Sequence, residues 1–173
     1  TLAEAPFNKI RMCVFPKHYD YNHNEPPYYA FEKTEGKWDV HKPCMAFWDR
    51  LESHIRKLDE MGIQCDLILF HPYDNWGFSK LSREEAFVYL DYVTRRLGAF
   101  PNVWWSLANE YDLMDYEMED WECFAQFLHD HDGWGHLLSN HQIVCPWDFS
   151  NPNTTHICHQ TSELDFLSGQ IRK

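Results

Sequence analysis

The chain has 173 residues, a formal net charge of −12 and 44% hydrophobic residues. That length and apolar content suit one folded domain with a sizeable core rather than a disordered chain. The acidic balance, with no Lys/Arg stripe, repels phosphate and makes nucleic acid and anionic membrane poor partners; no apolar run approaches the roughly 18 residues of a membrane-spanning helix.

The opening TLAEAPFNKI lacks the basic flank and apolar stretch of a signal peptide and does not begin with Met, so a mature form, an excised piece and a fragment all fit, and the compartment stays open. Ile10 to Phe15 reads as a strand stopped by Pro16. Residues 17 to 43 read as one long aromatic loop, longer than compact folds keep without a purpose. Phe47, Leu51, Ile55 and Leu58 form a helical stripe ended by Gly62. Ile63 to Phe70 is an apolar strand, broken by Gln64, Cys65 and Asp66, that runs into His71-Pro72-Tyr73-Asp74. Trp76 and Gly77 lie in the loop beyond.

Ser82 and Glu85 form a capping-box pattern, and Ala86, Leu90, Val93 and Leu97 supply the buried stripe of the helix behind it. After Pro101, Val103 to Ala108 reads as a strand ending abruptly in Asn109-Glu110. A third helix covers Glu119 to His129, with Trp121, Phe124, Ala125 and Leu128 on one face. Leu137 to Gln142 and His156 to Gln160 are weaker strands, separated by a loop carrying Trp147, Asp148 and Asn151. Such alternation of strands and helices, with strands apolar on both faces, predicts an α/β fold with a parallel sheet. Ligands bind at the C-terminal ends of such strands, which places His71, Asp74, Asn109, Glu110, His141 and Gln160 on one rim. Neither GxGxxG nor GxxxxGK[ST] follows the first strand, so the common nucleotide signatures are absent.

The six cysteines form no CxxC pair, and several sit in apolar segments, as reduced structural cysteines do. Two clusters raise the question of a metal: His18, Asp20 and His23, and His129, Asp130, His131 and Asp132. Neither has the tight spacing of HExxH, so no metal is expected.

Three segments, RMCVFPKHYDYN, LILFHPYDNWGFS and NVWWSLANEYDLM, resemble a bacterial family of apiosidase-like or cellulase-like glycoside hydrolases related to the retaining cellulase clan. The resemblance runs from about Phe7 to Leu167. It implies a (β/α)8 barrel of which residues 1–173 hold about strands two to six, an incomplete TIM-barrel catalytic domain. A complete barrel usually needs roughly 250 residues. The resemblance makes Glu110 the general acid/base, Asn109 the contact to the substrate's 2-hydroxyl, and Arg11 the residue orienting the nucleophile, with His71 lining the cleft. It places the nucleophile, a Glu, at the end of a seventh strand that this chain lacks; Glu163 lies too early.

Retaining hydrolysis needs two carboxyl groups about 5–5.5 Å apart, one protonated and one not, and it needs no cofactor. Asp74, Trp76, Tyr111, His141, Trp147 and Gln160 are further candidates for substrate contacts. Each also has a plainer reading: Asp74 and Trp76 shape a loop, Tyr111 and Asp112 order the segment after Glu110, and Trp147 packs at the surface rather than stacking on a sugar. A carbohydrate substrate is the expected partner, in a bacterial cytoplasmic or secreted setting, and uncovered sheet edges would favour self-association. The rival readings are a carbohydrate-binding piece without chemistry and, further off, a metal-dependent hydrolase.

Overall fold

The computed structural model describes residues 2–160. Four parallel strands form one sheet in the order β1-β4-β5-β6: β1 (Lys9–Cys13), β4 (Gln64–Phe70), β5 (Val103–Asn109) and β6 (Leu138–His141). Between β1 and β4 lie an antiparallel hairpin, β2 (Phe31–Thr34) and β3 (Lys37–Pro43), and the helix α1 (Met45–Glu60). Helix α2 (Arg83–Leu97) connects β4 to β5, and α3 (Met118–His131) connects β5 to β6. The fold is therefore α/β, as expected, with an open parallel sheet and a separate antiparallel pair. Closure into a barrel is not seen among the described residues.

The helical stripes are the ones the periodicity marks, except that on α1 Trp48 is buried and Phe47 only half-buried. Leu51, Ile55 and Leu58 are buried on α1, Ala86, Leu90, Val93 and Leu97 on α2, and Trp121, Phe124, Ala125 and Leu128 on α3. They pack with Leu67 and Leu69 of β4 and Val103, Trp105 and Leu107 of β5 in one continuous core. At the start of α2, Ser82 Oγ accepts from Glu85 N at 3.2 Å while Glu85 Oε2 accepts from Ser82 N at 2.7 Å, the reciprocal cap the sequence predicts.

The segment 17–43 corrects an expectation, because it is not all loop. Glu35 and Gly36, with φ of 52° and 82°, make a tight turn of the kind that needs two left-handed residues. The hairpin so formed buries Phe31 and Val40, and Trp38 stacks on Phe78 with ring centroids 4.8 Å apart. Phe31 also packs on Phe15 at 6.2 Å and edge-on to Tyr89 at 6.0 Å. The hairpin is thus fastened over the C-terminal ends of β1 and β4.

A second correction concerns His156 to Gln160, which supply one parallel bridge, His141 to Cys158, rather than a strand. The first strand ends at Cys13, two residues before the predicted limit. Glu163 lies outside the described residues. Beside β1, the outer strand of the sheet among the described residues, a largely apolar groove runs along α1, lined by Met12, Val14, Tyr28, Phe47 and Leu51. All six cysteines are free thiols.

Candidate active site

The C-terminal ends of β5 and β6 meet at one point of the rim. Asn109, the last residue of β5, is in register with His141, the last of β6. The next residue, Glu110, turns the chain with φ 58° and ψ 57°. A non-glycine residue pays for that left-handed conformation, and such residues cluster at functional sites. Among the described residues Glu35 also has this sign of φ, but there the hairpin turn demands it.

The Glu110 amide donates to His141 Nδ1 at 3.2 Å. His141 therefore accepts on Nδ1 and carries its proton on Nε2 when neutral. Burial, with Arg11 adding to it, holds His141 below its ordinary value of 6.5, which favours that neutral form. Glu110 is 9% exposed, and its Oε2 is buried with no hydrogen-bond partner among the described residues. Burial pushes the carboxyl above its ordinary 4.5; Lys17 opposes this and Asp112 reinforces it. A carboxylate oxygen shut away without a donor is costly, whereas the protonated acid is much less so.

Deeper on the sheet, Arg11, Asp66 and Ser106 form a polar patch. Arg11 Nη2 donates to Ser106 Oγ at 2.9 Å, and Arg11 Nε lies 3.3 Å from Asp66 Oδ2. Lys9 Nζ reaches the same oxygen at 3.1 Å. Arg11 is thus fixed by partners on β4 and β5.

The model of the family described as "Apiosidase-like, catalytic domain" matches residues 2–172. The chain belongs to this family.

A crystal structure of a candidate glycoside hydrolase from Bacteroides vulgatus ATCC 8482 is similar at 41% identity and a TM-score of 0.87, over 91% of this chain and 34% of the other. The apiosidase-like chain therefore spans about a third of the length of that relative. A family 5 glycoside hydrolase from the same organism matches at 18% identity and a TM-score of 0.57, over 81% of this chain and 29% of that one. Another family 5 enzyme, from Prevotella bryantii B14, matches at 13% identity and a TM-score of 0.56, over 93% of this chain and 49% of that one. These last two share the fold alone. No curated protein matches the chain.

Several residues expected at the apiosidase-like site have other work in the structure. His71 is buried; its Nε2 lies 3.0 Å from Phe15 O, and its Nδ1 accepts from Tyr73 N at 3.1 Å. Both nitrogens are spent on backbone, and burial lowers its pKa, so it is a neutral strut below the rim. Asp74 caps the turn after β4: its oxygens accept from the amides of Trp76, Gly77, Phe78 and Ser79 at 2.6–3.1 Å. Burial alone would raise Asp74, but those bonds hold it below its ordinary value.

Trp76 is half-buried; its Nε1 donates to Glu25 Oε2 at 2.9 Å and its carbonyl accepts from Trp38 Nε1 at 2.7 Å. It joins the hairpin to the β4 loop. Tyr111 is buried, with its hydroxyl donating to Cys145 O at 2.8 Å. Trp147 is 3% exposed and packs edge-on to Tyr111 at 5.6 Å, so it has no open face for a sugar. Gln160 is exposed, at the last described position.

Sequence reasoning passed over Lys17, which acts electrostatically on both Glu110 and His141. It also treated Asp66 as a mere break in a strand; a lone Asp inside an otherwise apolar run was the available signal. In the first His/Asp cluster, the His18 and His23 rings meet at 3.0 Å between Nε2 and Nδ1. In the second, His129 pairs with Asp130, His131 bonds the Phe127 carbonyl of its own helix, and Asp132 turns inward to His136. Among the described residues no three His, Cys, Asp or Glu side chains converge on a metal position.

Proposed function

We propose that this chain is part of a retaining glycoside hydrolase with a (β/α)8 barrel, in which Glu110 is the general acid/base. Its open sheet supplies strands two to five of that barrel, and the bridge at Cys158 marks the sixth. The observation that carries the reading is Glu110 itself: a carboxyl at the C-terminal end of a parallel strand, in a left-handed conformation, with one oxygen buried and unpartnered among the described residues. Such a group holds a proton where an exposed glutamate would not, as an acid for glycoside cleavage must.

In the proposed reaction Glu110 gives its proton to the leaving glycosidic oxygen while a second carboxylate attacks the anomeric carbon and forms a glycosyl ester. Glu110 then takes a proton from the water that hydrolyses the ester. Asn109 contacts the 2-hydroxyl, and Arg11 provides a fixed positive charge for the attacking carboxylate. The attacking group is neither Asp74 nor Asp112, because backbone amides occupy the oxygens of both. By the family resemblance it is a glutamate of a seventh strand, outside residues 1–173. The substrate is an oligo- or polysaccharide.

The test is cleavage of aryl glycosides of graded leaving-group acidity by the protein and by Glu110→Gln. An acid/base role predicts a loss of at least about 100-fold with a poor leaving group and a much smaller loss of the first step with a dinitrophenyl group, which needs no proton. An equal loss for all leaving groups would contradict the assignment.

A further inference from the structure

Two rim segments, 110–112 after β5 and 143–147 after β6, are tied together in an unusual way. Asp112 Oδ1 accepts from Ile143 N at 2.9 Å, and Asp112 Oδ2 accepts from Val144 N and Cys145 N, each at 2.7 Å. The Tyr111 hydroxyl bonds Cys145 O, and Trp147 rests on the Tyr111 ring. Burial does not hold the front of this strap, since Ile143 is 39% and Val144 75% exposed. Its place there is set by a carboxylate collecting three consecutive amides, each a charge-assisted bond.

The strap begins two residues after His141, whose Nδ1 receives the Glu110 amide. The connections therefore close a ring: Glu110 to Asp112 along the chain, Asp112 to 143–145 by hydrogen bonds, back along the chain to His141, and from His141 to Glu110. A left-handed glutamate is strained and persists where its surroundings over-determine it. The ring is such a surrounding. The charged and titratable groups that face Glu110 are Lys17 from the segment after β1, His141 from β6, and Asp112 on its own segment.

We propose that Asp112 is a positioning residue for Glu110: by clamping residues 143–145 it holds His141 against the Glu110 amide and keeps Glu110 in its left-handed place on the rim. The inference rests on the reading of Glu110 as the acid, but its test does not require turnover. The variants are Asp112→Ala, Asp112→Asn, which keeps one acceptor oxygen, and Tyr111→Phe, which removes only the bond to Cys145 O. In each full-length variant three signals are read by NMR: amide exchange at 143–145 and at Glu110, the His141 Nδ1 resonance, and the titration of the Glu110 carboxyl.

Asp112→Ala is expected to speed exchange at 143–145 and at Glu110 at least about 10-fold while Leu67 and Leu69 in β4 stay protected. His141 Nδ1 moves with them, and Asp112→Asn gives the same changes at smaller size; the Glu110 titration is read for positioning in Tyr111→Phe, which removes no charge and is expected to move it in the same variant that loosens 143–145. Should Asp112→Ala not fold, Asp112→Asn and Tyr111→Phe carry the test alone. Opening of 143–145 with Glu110 and His141 unmoved would overturn the proposal and leave Asp112 a loop anchor; so would protection unchanged throughout. Absence of hydrolysis in the unaltered protein would instead count against the acid reading.

Discussion

Two buried acidic residues in this chain, Glu110 and Asp132, each keep 9% of their surface exposed, yet their pKa values move in opposite directions. Asp132 sits after α3, at the N-terminal end of the sheet. Its oxygens accept from Trp105 Nε1 at 3.1 Å, from the amides of His136 and Trp134 at 2.6 and 3.3 Å, and from His136 Nδ1 at 2.8 Å. Burial would raise it, but these donors hold it below its ordinary 3.8. Glu110, at the other end of the sheet, has a buried oxygen with no donor among the described residues and is raised. Donor supply, rather than burial, separates a carboxylate that locks the fold from a carboxyl that can work as an acid.

The largest effect follows from breaking the lock. Asp132→Ala strands the Trp105 indole, the His136 ring and two amides, and is expected to lower stability by about 3 kcal/mol in urea unfolding. A change under about 1 kcal/mol would mean the donors find other partners. Glu110→Gln works in the other direction: it removes an ionisable group with no donor for its buried oxygen and is expected to stabilise the protein by about 1 kcal/mol near neutral pH while lowering activity.

The pH dependences sharpen the contrast. Asp132 has a lowered folded value, so its contribution is present above the unfolded 3.8 and is lost as pH falls through the folded value. Glu110 has a raised folded value, so its contribution is present below the unfolded 4.5 and is lost as pH rises through the folded value. Urea midpoints measured across pH should therefore show Asp132→Asn flattening the acid side of the stability curve, and Glu110→Gln flattening the slope above 4.5. The smallest effect is a control remote from both groups: Ser82→Ala removes a helix cap and is expected to cost about 1 kcal/mol with no change in either titration.

Much of the scaffold was legible because its cause is local. The stripes of α1, α2 and α3, the Ser82 cap, and the apolar runs of β4 and β5 follow from periodicity and side-chain chemistry within a few residues. The hairpin was not, because its turn is Glu35-Gly36 rather than the Asn-Gly or Asp-Gly that announces such a turn. At the site, the position of Glu110 at a strand end was readable, whereas its missing donor was not, since that depends on which side chains other strands bring. The same limit applies to Tyr111 and Trp147, whose aromatic rings suit a sugar platform as well as a buried contact until their neighbours are known. Asp74 illustrates it for acids: it suits a substrate contact by sequence, yet backbone amides engage its oxygens, as they engage those of Asp112.

The most direct test is to follow the carboxyl carbons of Glu110 and Asp132 by NMR in one pH titration. The account predicts a Glu110 midpoint above 4.5 and an Asp132 midpoint below 3.8. A Glu110 midpoint at or below 4.5 would contradict it, because the group assigned as the acid would then be an ordinary carboxylate.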